Sequence, residues 1–269
     1  MTGADRGSYD MCPTITIGTL HVSTYWVVYG LAILVGGMLV FHRFVRAGIS
    51  PQVATWGVLL IVWGGLAGAF LFKGLVFLIQ NLILTGELSW AGGSAFMGAL
   101  AGAVIALVVF FRRQGISLGR AFDLWIVPIP LGQAIGRLGC LAAGCCYGAP
   151  TDSWLGMYLP GDGEWAVRYP TQLMSSLANI LIFYALVALE RYGLRRGRES
   201  WPFPGFIFLS YTSLYTLKRF TIEFFRGNSP PPLLGPLNVT HLLAAAGFLV
   251  SVGLIVWNLR RTAVRHRAT

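Results

Sequence analysis

Charge is what this sequence has least of. Only 11% of its 269 residues are charged, where a soluble domain carries about 25%. Acids are scarcer than bases, 10 Asp and Glu against 20 Lys and Arg, while 55% of the residues are hydrophobic. With a mean hydropathy of +0.67, the chain has too little polar surface to cover a water-soluble core. It also lacks an internal repeat and a low-complexity tract. No soluble basic module stands out, so the net charge of +10 is not the footprint of a nucleic-acid binder. The first residues, "MTGADRGSYDMCPTITIG", lack the basic start, short apolar stretch and small-residue cleavage site of a signal peptide. The first apolar run is therefore expected to remain as a span.

What is there is a series of long apolar runs. Seven spans are expected, at about 25–44, 54–78, 95–111, 121–136, 171–190, 203–224 and 239–257. The third and fourth are short, so they tilt or one re-enters. Arg43 and Arg46 follow the first span; Arg112, Arg113 and Arg120 lie between the third and fourth. Arg191, Arg195, Arg196 and Arg198 follow the fifth; Arg260, Arg261, Arg265 and Arg267 follow the seventh. That puts 13 of the 20 Lys and Arg on one side, which the positive-inside rule assigns to the cytoplasm. The expected fold is an all-α, polytopic membrane protein of about seven helices, N-terminus outside and C-terminus cytoplasmic. It forms one domain over residues 1–269, with a small periplasmic-side elaboration at about 136–170.

The other seven cations are Arg6, Lys73, Arg137, Arg168, Lys218, Arg219 and Arg226. All but Arg6 fall in or beside the outward halves of spans. A cation at the bilayer centre costs about 2.5–3.5 kcal/mol on insertion scales, so such residues face a polar cavity or a partner. Few acids lie nearby. Glu223 is the exception, four residues after Arg219 and three before Arg226, on one helical face. Arginine's planar fork suits phosphate, and an anion at this depth is most simply a lipid headgroup. A structural ion network with snorkelling neighbours fits the same charges.

"GGLAG" (64–68) and "GGSAFMGALAG" (92–102) hold GxxxG spacings, which commonly mean close helix packing. The second follows a polar loop, and its backbone N–H groups also suit a headgroup phosphate. Cys140, Cys145 and Cys146 follow Arg137 closely. Their C-x₄-C-C spacing is poor for structural zinc, which favours paired C-x₂₋₄-C units. Packing, a disulfide, a thiol activated by the nearby arginine and, least favoured, a four-cysteine metal site drawing on Cys12 all remain open. No metal and no cofactor is expected.

"GRLGCLAAGCCYG" (136–148) resembles the signature G-R-x-G-N-x-x-N-x-E-x-x-G of the bacterial prolipoprotein diacylglyceryl transferases. "ITIGTLHVSTYWVVYGLAILVG" (15–36) resembles that family's opening, with Tyr29, Gly30 and Leu31 at its Tyr-Gly-Leu. "GGSAFMGALAG" resembles G-G-M-S-F-H-G-G-x-x-G, "RYPTQL" (168–173) resembles H-P-x-Q-L-Y-E, and "KRFTIEFFRGN" (218–228) resembles R-x-x-x-E-F-F-R. These stretches fall in the family's order along nearly the whole chain.

The resemblance implies transfer of the diacylglyceryl group of phosphatidylglycerol to the thiol of a lipobox cysteine in a precursor protein, or to another thiol acceptor. The setting would be a multi-pass protein of the bacterial inner membrane, among membrane lipids and without nucleic acid. It implies essential roles for Arg137 and Arg219 and a gating or headgroup role for Arg226. Glu223 would orient the arginines, and Tyr29, Gly92, Gly93, Gly98, Gly136, Gly139, Cys140 and Gln172 would line the substrate's place. The sequence departs from the pattern at the polar, proton-handling positions. The family's histidine falls at Met97, its asparagines at Cys140 and Ala143, its glutamate at Cys145. The histidine of H-P-x-Q-L-Y-E is Tyr169, and its Tyr-Glu end is Met174-Ser175. Methionine accepts no proton, so Tyr169 or a cysteine thiolate is the candidate base, and Cys145 a candidate transient acceptor. The rival expectation is a lipid- or anion-binding paralogue without catalysis. A small-anion transporter is less favoured, because the usual internal repeat is missing.

Overall fold

In hydrocarbon every backbone N–H and C=O must find its partner within the chain, so long apolar runs fold as helices. The computed structural model, which describes residues 14–17, 20–83, 94–161, 164–195 and 201–267, follows that rule. In chain order the elements are β1 (Thr14–Ile17), β2 (Leu20–Ser23), α1 (Thr24–Arg46), α2 (Pro51–Ile83), α3 (Ser94–Arg113), α4 (Leu118–Ile126) and α5 (Ile129–Ala142). Then follow β3 (Met157–Gly161), β4 (Glu164–Arg168), α6 (Thr171–Arg195), α7 (Phe206–Glu223), β5 (Pro232–Leu234), β6 (Leu237–Asn238) and α8 (Val239–Arg267).

Local chemistry sets the helix ends. Gly48, at φ +88, closes α1 in the left-handed conformation that costs glycine nothing. Ser50 precedes α2 and accepts the Val53 N–H on its Oγ at 3.4 Å, with Pro51 at the first helical position, where its missing donor does no harm.

A helix or helix pair lies at each of the seven places where a span is expected. Among the described residues, four helical stretches are long and apolar enough to cross a membrane: Thr24–Arg46, Pro51–Leu75, Thr171–Arg195 and Val239–Thr262. The consecutive pair α4 and α5 makes a fifth if it is one broken span. Large apolar side chains point outward along these helices; Phe70 and Leu71 are 77% and 74% exposed. This is the surface of a multi-pass membrane protein. The all-α expectation needs one correction. Among the described residues there are three two-stranded antiparallel hairpins: β1–β2 ahead of α1, β3–β4 between α5 and α6, and β5–β6 between α7 and α8. Their strands are two to five residues long, too short to show a distinct alternation.

The chain packs as two compact units. One runs from Gly37 to Trp125; the other joins the residues up to Gly36 with those from Ile126 onward. In the first, α2 and α3 meet along their glycines. A Cβ on Gly68 would strike the Gly98 carbonyl oxygen, and one on Gly102 would strike that of Gly64. The two backbones therefore touch, which is what small-residue spacing permits in a membrane. Phe44, Phe110 and Phe111 fill the other end of this unit, the rings of Phe44 and Phe111 meeting edge-on at 5.0 Å. Arg43 closes it, donating from Nε to the Leu124 carbonyl at 2.7 Å.

In the second unit, buried polar groups tie the helices. Ser176 Oγ donates to the Ala134 carbonyl at 2.9 Å, joining α6 to α5. Tyr211 OH reaches Gln133 Oε1 at 3.1 Å, joining α7 to α5, and Ser213 and Ser251 share a hydrogen bond of 2.8 Å between α7 and α8. Such bonds replace the hydrophobic drive that lipid removes.

Packing of this kind tolerates no added side chain. Gly68→Leu or Gly102→Val should destabilise the protein by about 1–3 kcal/mol, read as a lower unfolding temperature in detergent. At Gly74 a Cβ would meet nothing within 4 Å, so Gly74→Ala should leave that temperature unchanged or slightly higher.

Candidate active site

Four cations of the second unit come together. Arg137 sits on α5, Lys218 and Arg219 on α7, and Arg226 three residues beyond the end of α7. The charge of Arg137 is felt at both Lys218 and Arg219, and that of Arg226 at Arg219. The counter-charge shared by Arg219 and Arg226 is Glu223, whose side chain is fully buried. Its Oε2 takes Arg219 Nη1 at 2.5 Å and faces Arg226 Nε at 3.7 Å. Its Oε1 accepts from Ser229 Oγ at 2.9 Å and from Asn238 Nδ2 at 3.1 Å. Asn238 is also the cap of α8, because its Oδ1 takes the N–H groups of Thr240 at 2.9 Å and His241 at 3.1 Å. Lys218 Nζ donates to Asn179 Oδ1 at 2.8 Å and lies 4.2 Å from the centre of the Tyr215 ring. Arg226 Nη2 donates to Asn228 Oδ1 at 2.9 Å. Arg137 is half-buried, and no hydrogen bond or ion pair to it is found among the described residues.

Three of the stretches singled out in the sequence are woven together here. Gly148 bridges to Arg226, and Pro150 to Arg168. The Ala149 N–H donates to the Phe225 carbonyl at 2.9 Å, the Gly227 N–H to Tyr147 at 3.1 Å, and the Tyr169 N–H to Ala149 at 3.1 Å. A Cβ on Gly148 would strike the Tyr169 carbonyl, so these backbones pass in contact. Arg168 belongs to this weave rather than to the cation cluster. It is buried, donates to the Gly161 carbonyl at 3.0 Å and lies 5.0 Å over the Tyr147 ring.

The cysteine loop is gripped from the first turn of α6. Thr171 Oγ1 donates to the Cys146 carbonyl at 2.8 Å, and Gln172 Nε2 to that of Cys145 at 2.9 Å. The Cys145 N–H returns to the Cys140 carbonyl at 3.1 Å. Gly144 at φ +62 and Cys146 at φ +60 turn the chain back on itself. The sulfurs of Cys140, Cys145 and Cys146 consequently lie within 4.8 Å of one another, and all three are free thiols. Hydrogen bonds from the Cys140 and Cys145 thiols pull the Cys146 thiol well below its usual range, and Arg137 and Arg226 add to the pull. Its hydrogen bonds with Cys140 and Cys146 push the Cys145 thiol up.

Most of the residues expected at the site therefore share this unit. Tyr169 packs its ring against Phe225, 5.1 Å between centroids. Gln172 is buried, its Nε2 committed to the cysteine loop. Gly139 packs α5 against Val28 of α1, while a side chain at Gly136 would meet nothing within 4 Å. Tyr29 is exposed and stacked on Tyr25 at 5.8 Å. Gly98 lies in the other unit, in contact with Gly68. Gly92 and Gly93 fall outside the described residues, as does Cys12.

Four contributors are not among the residues expected from sequence. Tyr25 lies close enough to the three thiols for their charges to interact. Lys218 stands out as a cation in an apolar run, but its neighbour Arg219 draws the attention. Asn238 reads as a helix cap and gives no sign that its amide turns to Glu223. Thr171 reads only as the start of α6.

Comparison with known proteins gives one answer. The family model described as prolipoprotein diacylglyceryl transferase matches residues 13–257. The phosphatidylglycerol–prolipoprotein diacylglyceryl transferase of Chlorobaculum tepidum is 32% identical, covering 91% of this chain and 86% of that protein. The protein of the same name from Hydrogenovibrio crunogenus is 32% identical over 93% and 95% of the two chains, and that from Rhizobium leguminosarum bv. trifolii 31% over 91% and 88%. With its motifs in order and its cations gathered at one place, the chain belongs to the prolipoprotein diacylglyceryl transferase family.

Proposed function

We propose that this chain transfers the diacylglyceryl group of phosphatidylglycerol to the thiol of a lipobox cysteine in a precursor protein, releasing glycerol phosphate. The observation that carries this reading is the charge surplus: four clustered cations, one shared buried carboxylate, and an Arg137 with no partner among the described residues. A phosphate diester brings one negative charge to such a place. When the bond between the diacylglyceryl carbon and the phosphate oxygen breaks, the leaving glycerol phosphate gains a second. Fixed guanidinium groups favour that developing charge more than the starting one, which is what lowers a barrier.

The roles divide by position. Arg137 and Arg219 hold the phosphate and neutralise the leaving group, and Arg226 contacts the headgroup. Glu223 keeps Arg219 and Arg226 aligned without cancelling the cluster. Tyr29, Gly139 and the open side of α5 at Gly136 complete the lipid's surroundings, with Gln172 and Cys140 in the wall. Tyr169 and the three thiols are the proton-accepting groups on this side. A diacylglyceryl group placed on Cys145 would form a thioether, from which an alkyl carbon does not readily leave. The final acceptor is therefore the incoming thiol.

The site sits near the outer leaflet of the bacterial inner membrane. The seven helices or helix pairs cross it as one transferase domain, N-terminus outside and C-terminus in the cytoplasm. Residues 136–170 form the outward head region. The distribution of arginines along the loops supports this orientation.

Purified protein incubated with labelled phosphatidylglycerol and a lipobox peptide should release glycerol phosphate and yield lipidated peptide. Arg137→Ala and Arg219→Ala should each lower the rate by about 100-fold or more, whereas Arg265→Ala should leave it unchanged. Full activity in both site variants would remove the proposed site. Lipid retained by the folded protein with no glycerol phosphate released would assign it instead to the non-catalytic, lipid-binding reading. Glu223→Gln leaves two guanidinium groups without their buried counter-charge. It should cost about 3–5 kcal/mol of stability, measured by unfolding in detergent.

A further inference from the structure

The transfer needs a deprotonated acceptor thiol, and the arginines do nothing to supply one. The feature that the phosphate chemistry leaves unused is the group of three sulfurs beside them. We propose that Cys140, Cys145 and Cys146 bind a zinc ion whose fourth position takes the acceptor thiol; this rests on the transferase reading above.

The geometry fits the ion. Zinc bonds thiolate sulfur at about 2.3 Å in a tetrahedron, which sets the sulfurs about 3.8 Å apart. Here they already lie within 4.8 Å of one another, so small side-chain rotations close the set. The loop is built for the purpose at the level of its backbone. Both cysteine carbonyls are held from α6, and Cys146 is kept at φ +60, a conformation that costs a non-glycine residue about 1–3 kcal/mol and collects at functional sites. Beside the loop, Gln172 Oε1 is buried and has no hydrogen-bond partner, an acceptor left for a donor arriving there.

Three protein ligands with one open position is the pattern of a catalytic zinc site rather than a structural one. All-sulfur donors also suit monovalent copper. The chemistry decides for zinc, which does no redox and accepts a fourth ligand. A thiol that coordinates zinc loses its proton to solvent. The bound thiolate then attacks the diacylglyceryl carbon next to the phosphate oxygen. A C–S bond forms, the C–O bond breaks, and its electron pair leaves on glycerol phosphate. The thioether product is a weaker ligand and departs.

The test uses the full-length protein, purified in detergent with a phosphine reductant. About one zinc per chain should bind, and cobalt in its place should give thiolate-to-metal charge-transfer absorption. Cys140→Ser, Cys145→Ser and Cys146→Ser should each abolish that absorption, while an unchanged helical circular-dichroism signal and a single elution peak in detergent show that the variants remain folded. Chelation should slow transfer to the lipobox peptide by about 100-fold or more, and added zinc should restore it. The proposal is overturned by full-rate transfer from metal-free protein, by a reduced and folded sample that takes up neither metal, or by a disulfide between two of the three cysteines in active protein. A zinc-loaded, folded sample that neither retains nor cleaves the lipid would instead overturn the transferase reading, with the metal site standing on its stoichiometry and absorption.

Discussion

A carboxylate removed from water must be surrounded by donors or it does not stay ionised. Glu223 meets that requirement with two donors on Oε1, a serine and the asparagine that caps α8, and with ion pairs to two arginines on Oε2. The rest of this end of the molecule depends on it. Because Arg219 and Arg226 lie one turn to either side of the acid, one buried charge aligns both. The remaining members of the cluster, Arg137 and Lys218, add positive charge that no second carboxylate cancels among the described residues. The cluster is therefore electrostatically unfinished, which is what a protein that binds an anion at membrane depth requires.

The second constraint is the weave of backbone around the acid. The segments 147–150, 168–169 and 225–227 exchange main-chain hydrogen bonds and pass one another without room for a side chain at Gly148. They belong to the ends of α5, α6 and α7, so the weave fixes those helix ends against one another. A cation on any of these helices is then held where the others are. The link from sequence to chemistry runs through these few short bridges, not through the long apolar helices, whose outward faces are given over to lipid.

Much of this was legible beforehand. A run of some twenty apolar residues has few foldings in hydrocarbon, so the helices stand where the runs do. Cations inside such runs are conspicuous, and the spacing of Arg219, Glu223 and Arg226 names one helical face. The β3–β4 hairpin was signalled by Asp162-Gly163 between "MYLPG" and "EWAVR", a turn pair that counts for little beside neighbouring spans. The β5–β6 turn carries its own mark in Gly235-Pro236, with Gly235 at φ +57, but the strands it joins are only three and two residues long. Asn238 shows its capping role but not its reach to Glu223, fifteen positions earlier, because that contact depends on how α7 and α8 dock. The cysteine spacing reads poorly for a metal because spacing rules presume an ordinary loop. Two residues at positive φ, Gly144 and Cys146, fold this one back.

The grips on that loop are all on main-chain oxygens. Thr171 and Gln172 take the carbonyls of Cys146 and Cys145, and the Cys140 carbonyl receives the returning N–H. None of them depends on what the side chains at 140, 145 and 146 are. The mounting is separable from its fittings: a lineage can trade amide and carboxylate for sulfur there without rebuilding the bracket.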